Sequence, residues 1–332
     1  VWTNVTPDGI LVADEYGVQD ILSDPARPGD LYAFTCLNGV WKSTDYGITW
    51  AKISKKGGPL DYGRAWGEAI DKNPNRNPDK PPRMYACQGY GSERGAWVST
   101  DGGVNWARYQ TGGSAEDVYN FDTGPNDCMH VICAMHVDNH CYESTDGGVT
   151  WKDKGVIAGD GRASDVSPYV WCITADIWLA VSQSGSGSAG TFRTTNRGAT
   201  WNSVLPAEHA HGANQIFIDN NGAALYLPHD KGISRSTDTG ATWTTVSTTQ
   251  ASVIVGTANY LYSGYGFPAI GYTFNTNLLR ASRSNGTTWT SYTTAAGMTN
   301  GPKRGAVTFD GTHYVVVFGN WCGAGIWRYV EP

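Results

Sequence analysis

Three carboxylates, Glu68, Asp117 and Asp230, are candidates for acid–base work, because each sits among aromatic, imidazole or guanidinium side chains. Hydrolysis of a glycosidic bond needs such a pair, one carboxyl group to protonate the leaving oxygen and a second carboxylate across the bond. A second set, His136, His140, His211 and His229 with Tyr119, Arg64 and Arg162, suits another reaction. β-Elimination from a uronate needs a base for the proton α to the carboxyl group and a cation for the enolate-like intermediate. Rings such as Trp66 and Trp321 can stack on sugar faces. Each residue also has a plainer use: a loop Asp caps a turn, and a loop ring covers a sheet edge.

An internal repeat sets the elements that must position these residues. Four segments read S-x-D-x-G-x-x-W: Ser43 to Trp50, Ser99 to Trp106, Ser144 to Trp151 and Ser236 to Trp243. A fifth, Thr194 to Trp201, carries Asn196 for Asp, and a sixth, Ser282 to Trp289, carries Ser284 there. Each follows an alternating apolar segment such as Leu31-Tyr32-Ala33-Phe34 and precedes another short strand. The physics is that of a hairpin turn. The carboxylate caps backbone N–H groups, Gly supplies positive φ, and Trp packs between neighbouring sheets.

The repeat resembles the Asp-box (bacterial neuraminidase repeat) of β-propellers, and the resemblance covers nearly the whole chain. Successive Trp residues lie 56, 45, 50, 42 and 46 residues apart, and Trp2 closes the ring with intervals of 45 and 48. The resemblance implies an all-β fold, a single seven-bladed β-propeller domain over residues 1–332, with six blades as the alternative if the sixth repeat is an insertion. Trp2-Thr3-Asn4-Val5 is expected to pair with Gly325 to Tyr329, which removes an open sheet edge.

In propellers of this type the repeat turns lie on one face, and the loops that converge on the axis lie on the other. Asp45, Asp101, Asp146 and Asp238 are therefore expected to be structural. The axis-facing loops carry Glu68, Asp230 and Asp117 as catalytic candidates, and Arg64, Trp66, Tyr119, His136, His140, Arg162, His211, His229 and Trp321 as sugar-holding ones. Lys303-Arg304 lies in the same set, whereas His130 and His313 are expected in strands as packing residues. The segment from Gly17 to Trp50 looks like a blade of the xyloglucanase-type hydrolases, which carry a catalytic Asp after strand two of a blade. Blade one has Cys36 there and blade five has Asp230. The arginine signature of sialidases is not legible. The expectation is a glycoside hydrolase acting on a polysaccharide or oligosaccharide, with a polysaccharide lyase and a non-catalytic lectin as the other readings. Propeller lectins repeat one loop at every blade, and these loops differ strongly.

Composition removes other classes. The 24 Lys and Arg are scattered in a chain of net charge −6, against a nucleic-acid partner. No apolar run approaches eighteen residues, against a spanning helix and a membrane partner. No phosphate loop or dinucleotide fingerprint occurs, so no cofactor is expected, and no CxxC pair signals a metal. The absence of an initiating Met and of an apolar leader fits a mature secreted protein, expected as a monomer. Cys128, Cys133 and Cys141 could form a local bridge or serve as small buried residues.

Overall fold

Short alternating runs bounded by Gly- and Asp-rich turns form antiparallel strands, and the chain builds them four at a time. The computed structural model describes residues 1–332 except 11–16, 90–91, 114–115, 137, 158–167, 183–189, 207–214, 220–223, 267–276, 284–285, 300 and 321–324. Blade 1 is Val18–Ser23, Leu31–Thr35, Val40–Ser43 and Ala51–Lys52; blade 2 is Ala69–Ile70, Met84–Cys87, Ala96–Ser99 and Ala107–Tyr109. Blade 3 is Val118–Gly124, Asp127–Met135, Asp138–Ser144 and Lys152–Val156; blade 4 is Tyr169–Cys172, Trp178–Ser182, Gly190–Thr194 and Asn202–Leu205. Blade 5 is Phe217–Ile218, Leu225–His229, Gly232–Ser236 and Thr244–Ser247; blade 6 is Val253–Gly256, Tyr260–Gly264, Asn277–Ser282 and Trp289–Thr293. Blade 7 joins Arg304–Phe309, Tyr314–Asn320 and Gly325–Val330 to Thr3–Asn4 from the other end of the chain. The fold is an all-β, seven-bladed propeller.

Closure follows the sequence expectation. Thr3 pairs with Arg328 and Asn4 with Trp327, and the Val5 N–H donates to the Ile326 carbonyl at 2.9 Å. Trp2 is buried and stacks on Phe318 at 5.1 Å, so the first residues seal the seam between blades 6 and 7. The sixth repeat belongs to a complete sheet, which removes the six-blade alternative.

The core lies between blades. Tyr32, Phe34 and Val40 of blade 1 pack on Ile70, Met84, Ala86 and Trp97 of blade 2, and equivalent apolar layers recur around the ring. The repeat turns connect third and fourth strands. In blade 3 the Ser144 hydroxyl donates to Asp146 Oδ1 at 2.8 Å, and the Thr150 N–H donates to the same oxygen at 2.9 Å. Gly148, at φ 84°, donates its N–H to Ser144 Oγ, and the Trp151 indole donates to the Gly148 carbonyl. No helix is long and apolar enough to cross a membrane.

Cys87, Cys128, Cys141 and Cys172 are free thiols, so the local bridge is not formed. His130 sits in a strand as expected, bonded to Glu143 at 3.0 Å. His313 does not: it lies in the turn before Tyr314, half-exposed, because the Asp310 carboxylate captures its backbone N–H and bends the chain.

Candidate functional site

Antiparallel alternation puts the start of each first strand, and the loop between strands two and three, on the face opposite the repeat turns. That face gathers buried charge at the axis. Two first strands carry irregularities there, with shifts in register at Val18/Asp20 and at Val118/Asn120. Such bulges re-aim side chains. Gln19 and Tyr119, the residues skipped by the ladder, are both fully buried.

Glu68 lies just ahead of the first strand of blade 2. Its backbone N–H donates to Asp20 Oδ2 at 2.9 Å, and its Oε1 accepts the Trp66 N–H at 3.1 Å and the Cys87 thiol at 3.2 Å. Its Oε2 is buried and has no hydrogen-bond partner among the described residues. Gly67 permits the close passage of this segment, since a Cβ there would lie 2.6 Å from Asn120 Cβ. From blade 7, Lys303 bonds Gln19 Oε1 and stands 4.6 Å over the Trp66 ring, while Arg304 lies 5.0 Å over Tyr169.

Four ionisable groups from three blades thus share a desolvated space. Burial is expensive for each charged form. Burial, reinforced by the Asp20 charge, pushes the Glu68 carboxyl up to about 8, against the pull of Lys303 and Arg304. Burial also raises Asp20, which Arg304 opposes. Burial and the Arg304 charge lower the Lys303 ammonium. Burial and the Asp20 charge thus favour the protonated form of Glu68. Perturbed groups gathered in one place mark a candidate functional site.

Beside it, Tyr119 joins the predicted residues into one array. Its ring lies 4.9 Å from Trp66 and 4.8 Å from His136, stacked on the latter at 15°. His136 Nδ1 is 3.0 Å from Asp117 Oδ2, and the His136 N–H donates to the Asp117 carbonyl at 2.8 Å. Asp117 Oδ1 is buried without a hydrogen-bond partner among the described residues. Trp66 and Tyr119 are themselves buried, so their rings desolvate the carboxyl groups and present no open face for sugar.

The other predicted residues stand apart. Asp230 occupies the blade 5 hairpin, 4.0 Å from His229 Nδ1, and no described contact joins it to Glu68. His229 is buried, bonded to Ser234 Oγ at 2.9 Å, and burial lowers its pKa. His140 bonds both Asp153 oxygens at 2.9 Å on the outer strands of blade 3. Arg64 forms a backbone bridge with Gly89 on the approach to Trp66. Arg162, His211 and Trp321 lie outside the described residues. Gln19, Asp20 and Tyr169 complete the site and were missing from the sequence reading. A signal existed, since polar side chains open first strands that are otherwise apolar. Among the described residues, no three His, Cys, Asp or Glu side chains are grouped to hold a metal ion.

No protein-family model matches the chain. The chain is 27% identical over 283 residues to xyloglucanase Xgh74A of Acetivibrio thermocellus, covering 69% of this chain and 32% of the relative. A xyloglucanase of a Paenibacillus species is 26% identical over 304 residues, covering 82% and 26%. The chain thus spans about a third or less of the length of these relatives. Among solved structures, a GH74 enzyme of Niastella koreensis superposes with TM-score 0.68 at 15% identity, covering 98% of this chain and 53% of that one. YCF48 from Cyanidioschyzon merolae superposes with TM-score 0.61 at 14% identity over 100% and 98%. These likenesses show the propeller fold.

Proposed function

We propose that this protein is a secreted glycoside hydrolase, one propeller domain over residues 1–332, acting on a polysaccharide at the axial mouth. The carrying observation is Glu68, a buried carboxyl group whose Oε2 is uncommitted to any described protein group and whose surroundings push it toward the protonated form. Protonation of a leaving glycosidic oxygen needs such an acid at neutral pH. In this reading Glu68 gives its proton to that oxygen as the C–O bond breaks, a step that requires its buried Oε2 to be uncovered as the sugar enters. Asp117, fixed by His136, takes the proton of the attacking water, and Lys303, Arg304 and Asp20 set the field around the pair. Arg64 and the exposed ring of Tyr62 lie on the loop leading into the site and would hold sugar. Similarity to xyloglucanases over much of the chain supports the substrate class, a plant or microbial polysaccharide. The Asp-box identity of the turns fits the same group of carbohydrate-active propellers.

Three of the histidines that β-elimination would call on, His136, His140 and His229, are bonded to Asp117, Asp153 and Ser234. The reaction product separates hydrolysis from lysis. The test is incubation with a panel of plant and microbial polysaccharides, read by reducing ends and by absorbance near 235 nm. Reducing ends without an ultraviolet product support hydrolysis. An unsaturated uronate product would mean a lyase, and binding without either product would mean a lectin.

A further inference from the structure

A cleft of about 470 Å³ opens between blades 6 and 7, on the outer part of the ring and away from the axial site. The partly exposed rings of Tyr292 and Tyr329 line it above the buried Trp2 and Tyr262. Ser291 and Thr290 are exposed at its edge, the Thr290 hydroxyl donating to the Arg280 carbonyl at 3.2 Å, and Arg280 supplies the one charged side chain among the described lining residues. Its volume lies in the range of small-ligand sites.

Arg280 differs from its counterparts around the ring. Arg193 and Arg328 also lie on the third strand of a blade and reach the next one. Each donates to the carbonyl of the fourth residue of the next blade's repeat turn: Arg193 Nε to Thr239 O at 2.9 Å, and Arg328 Nε to Tyr46 O at 2.8 Å. Arg83 reaches the equivalent Gly147 carbonyl at 3.1 Å. Arg280 pairs in register with Tyr262 and Thr290 and stacks 4.7 Å over the Tyr260 ring. Among the described residues its guanidinium has no hydrogen-bond or ion-pair partner, and it meets the cleft instead of a turn carbonyl. The nearby Tyr292 hydroxyl is buried without a hydrogen bond of good geometry to a described residue. Glu331, behind Tyr262, is already satisfied by Thr257, Asn259 and Tyr262, at 2.6, 2.9 and 2.9 Å.

We infer that this cleft is a second saccharide-binding site that takes a hexuronate unit, its carboxylate on Arg280 and its ring against the aromatic walls. A planar guanidinium matches a carboxylate in paired hydrogen bonds. Flanking rings with hydroxyl donors suit a pyranose. The site does not depend on the axial chemistry. Titration of the full chain with methyl α-D-glucuronide, followed by NMR, should show saturable shifts at the Tyr262, Thr290 and Tyr329 amides. Arg280→Gln should weaken that binding tenfold or more at an unchanged melting temperature, with partial recovery in Arg280→Lys. Glu68→Gln should leave it intact. The inference is overturned if the glucuronide does not saturate, if methyl glucoside binds as well, if benzoate alone binds, or if Glu68→Gln rather than Arg280→Gln abolishes the shifts.

Discussion

The carboxylates of the two faces are the same groups in opposite surroundings. At the repeat turns, Asp146 and Asp238 accept hydrogen bonds from a Thr hydroxyl, a Thr N–H and a Ser hydroxyl, which hold both at about 2. At the axis, Glu68 is buried, with one oxygen unpartnered among the described residues and Asp20 beside it, and it is pushed up to about 8. Hydrogen bonding spends the first pair on architecture. Desolvation leaves the second with a proton to give. A count of acids would have favoured the turns, and the environment reverses that choice.

The largest expected effect lies at the axis. Glu68→Gln keeps the shape of the protonated acid and removes the transferable proton, so kcat on a cleaved glycan should fall by about 10²–10⁴-fold in a protein that still folds. Asp117→Asn should act similarly, and Asp230→Asn tests the other candidate carboxylate, whose Oδ1 is also buried without a hydrogen-bond partner among the described residues. A dead Asp230→Asn beside an active Asp117→Asn would move the second carboxylate to blade 5.

Next comes the seam. Trp2→Ala removes a buried ring stacked on Phe318 and should lower stability by about 3–5 kcal/mol in chemical denaturation. At the turns, Asp146→Ala should cost about 0.5–2 kcal/mol through the lost cap, with kcat per folded molecule unchanged. Loss of rate without loss of stability in that variant would erase the contrast between the faces.

How much of this could be read from the residues differs between scaffold and site. The spacing of Trp50 through Trp289 dictates the blades, because each Trp caps a turn whose Ser, Asp and Gly are local in sequence. Trp2 completes the count because it heads the strand that pairs with the last strand of the chain. Glu68, Asp117, Trp66, Tyr119 and His136 were legible as a neighbourhood because loops that join or top adjacent blades must meet. Asp230, in the blade 5 hairpin, shares the face with them but makes no described contact to Glu68. Asp20 and Gln19 escaped notice because their burial depends on a bulge that local alternation does not encode. Buried Trp66 and Tyr119 show the same limit, as a ring's exposure is set by its packing partners.

The two faces should also respond oppositely to pH. Asp146 and Asp238 have depressed values, so their contribution to stability is present above about pH 4 and is lost as pH falls toward 2. Glu68 has a raised value, so its contribution is full below its unfolded value near 4.5 and is lost as pH rises through about 8. Glu68→Gln should therefore flatten the alkaline side of the stability profile, and Asp146→Ala the acid side, in melts from pH 2 to 9.

The protonation state of Glu68 can be read directly by ¹³C NMR of protein labelled at glutamate side-chain carboxyl carbons, with Glu68→Gln identifying the resonance. A Glu68 carboxyl that is still protonated at pH 7 and titrates near 8 is the predicted result. A carboxyl already ionised at pH 6 would contradict the assignment of Glu68 as the proton donor.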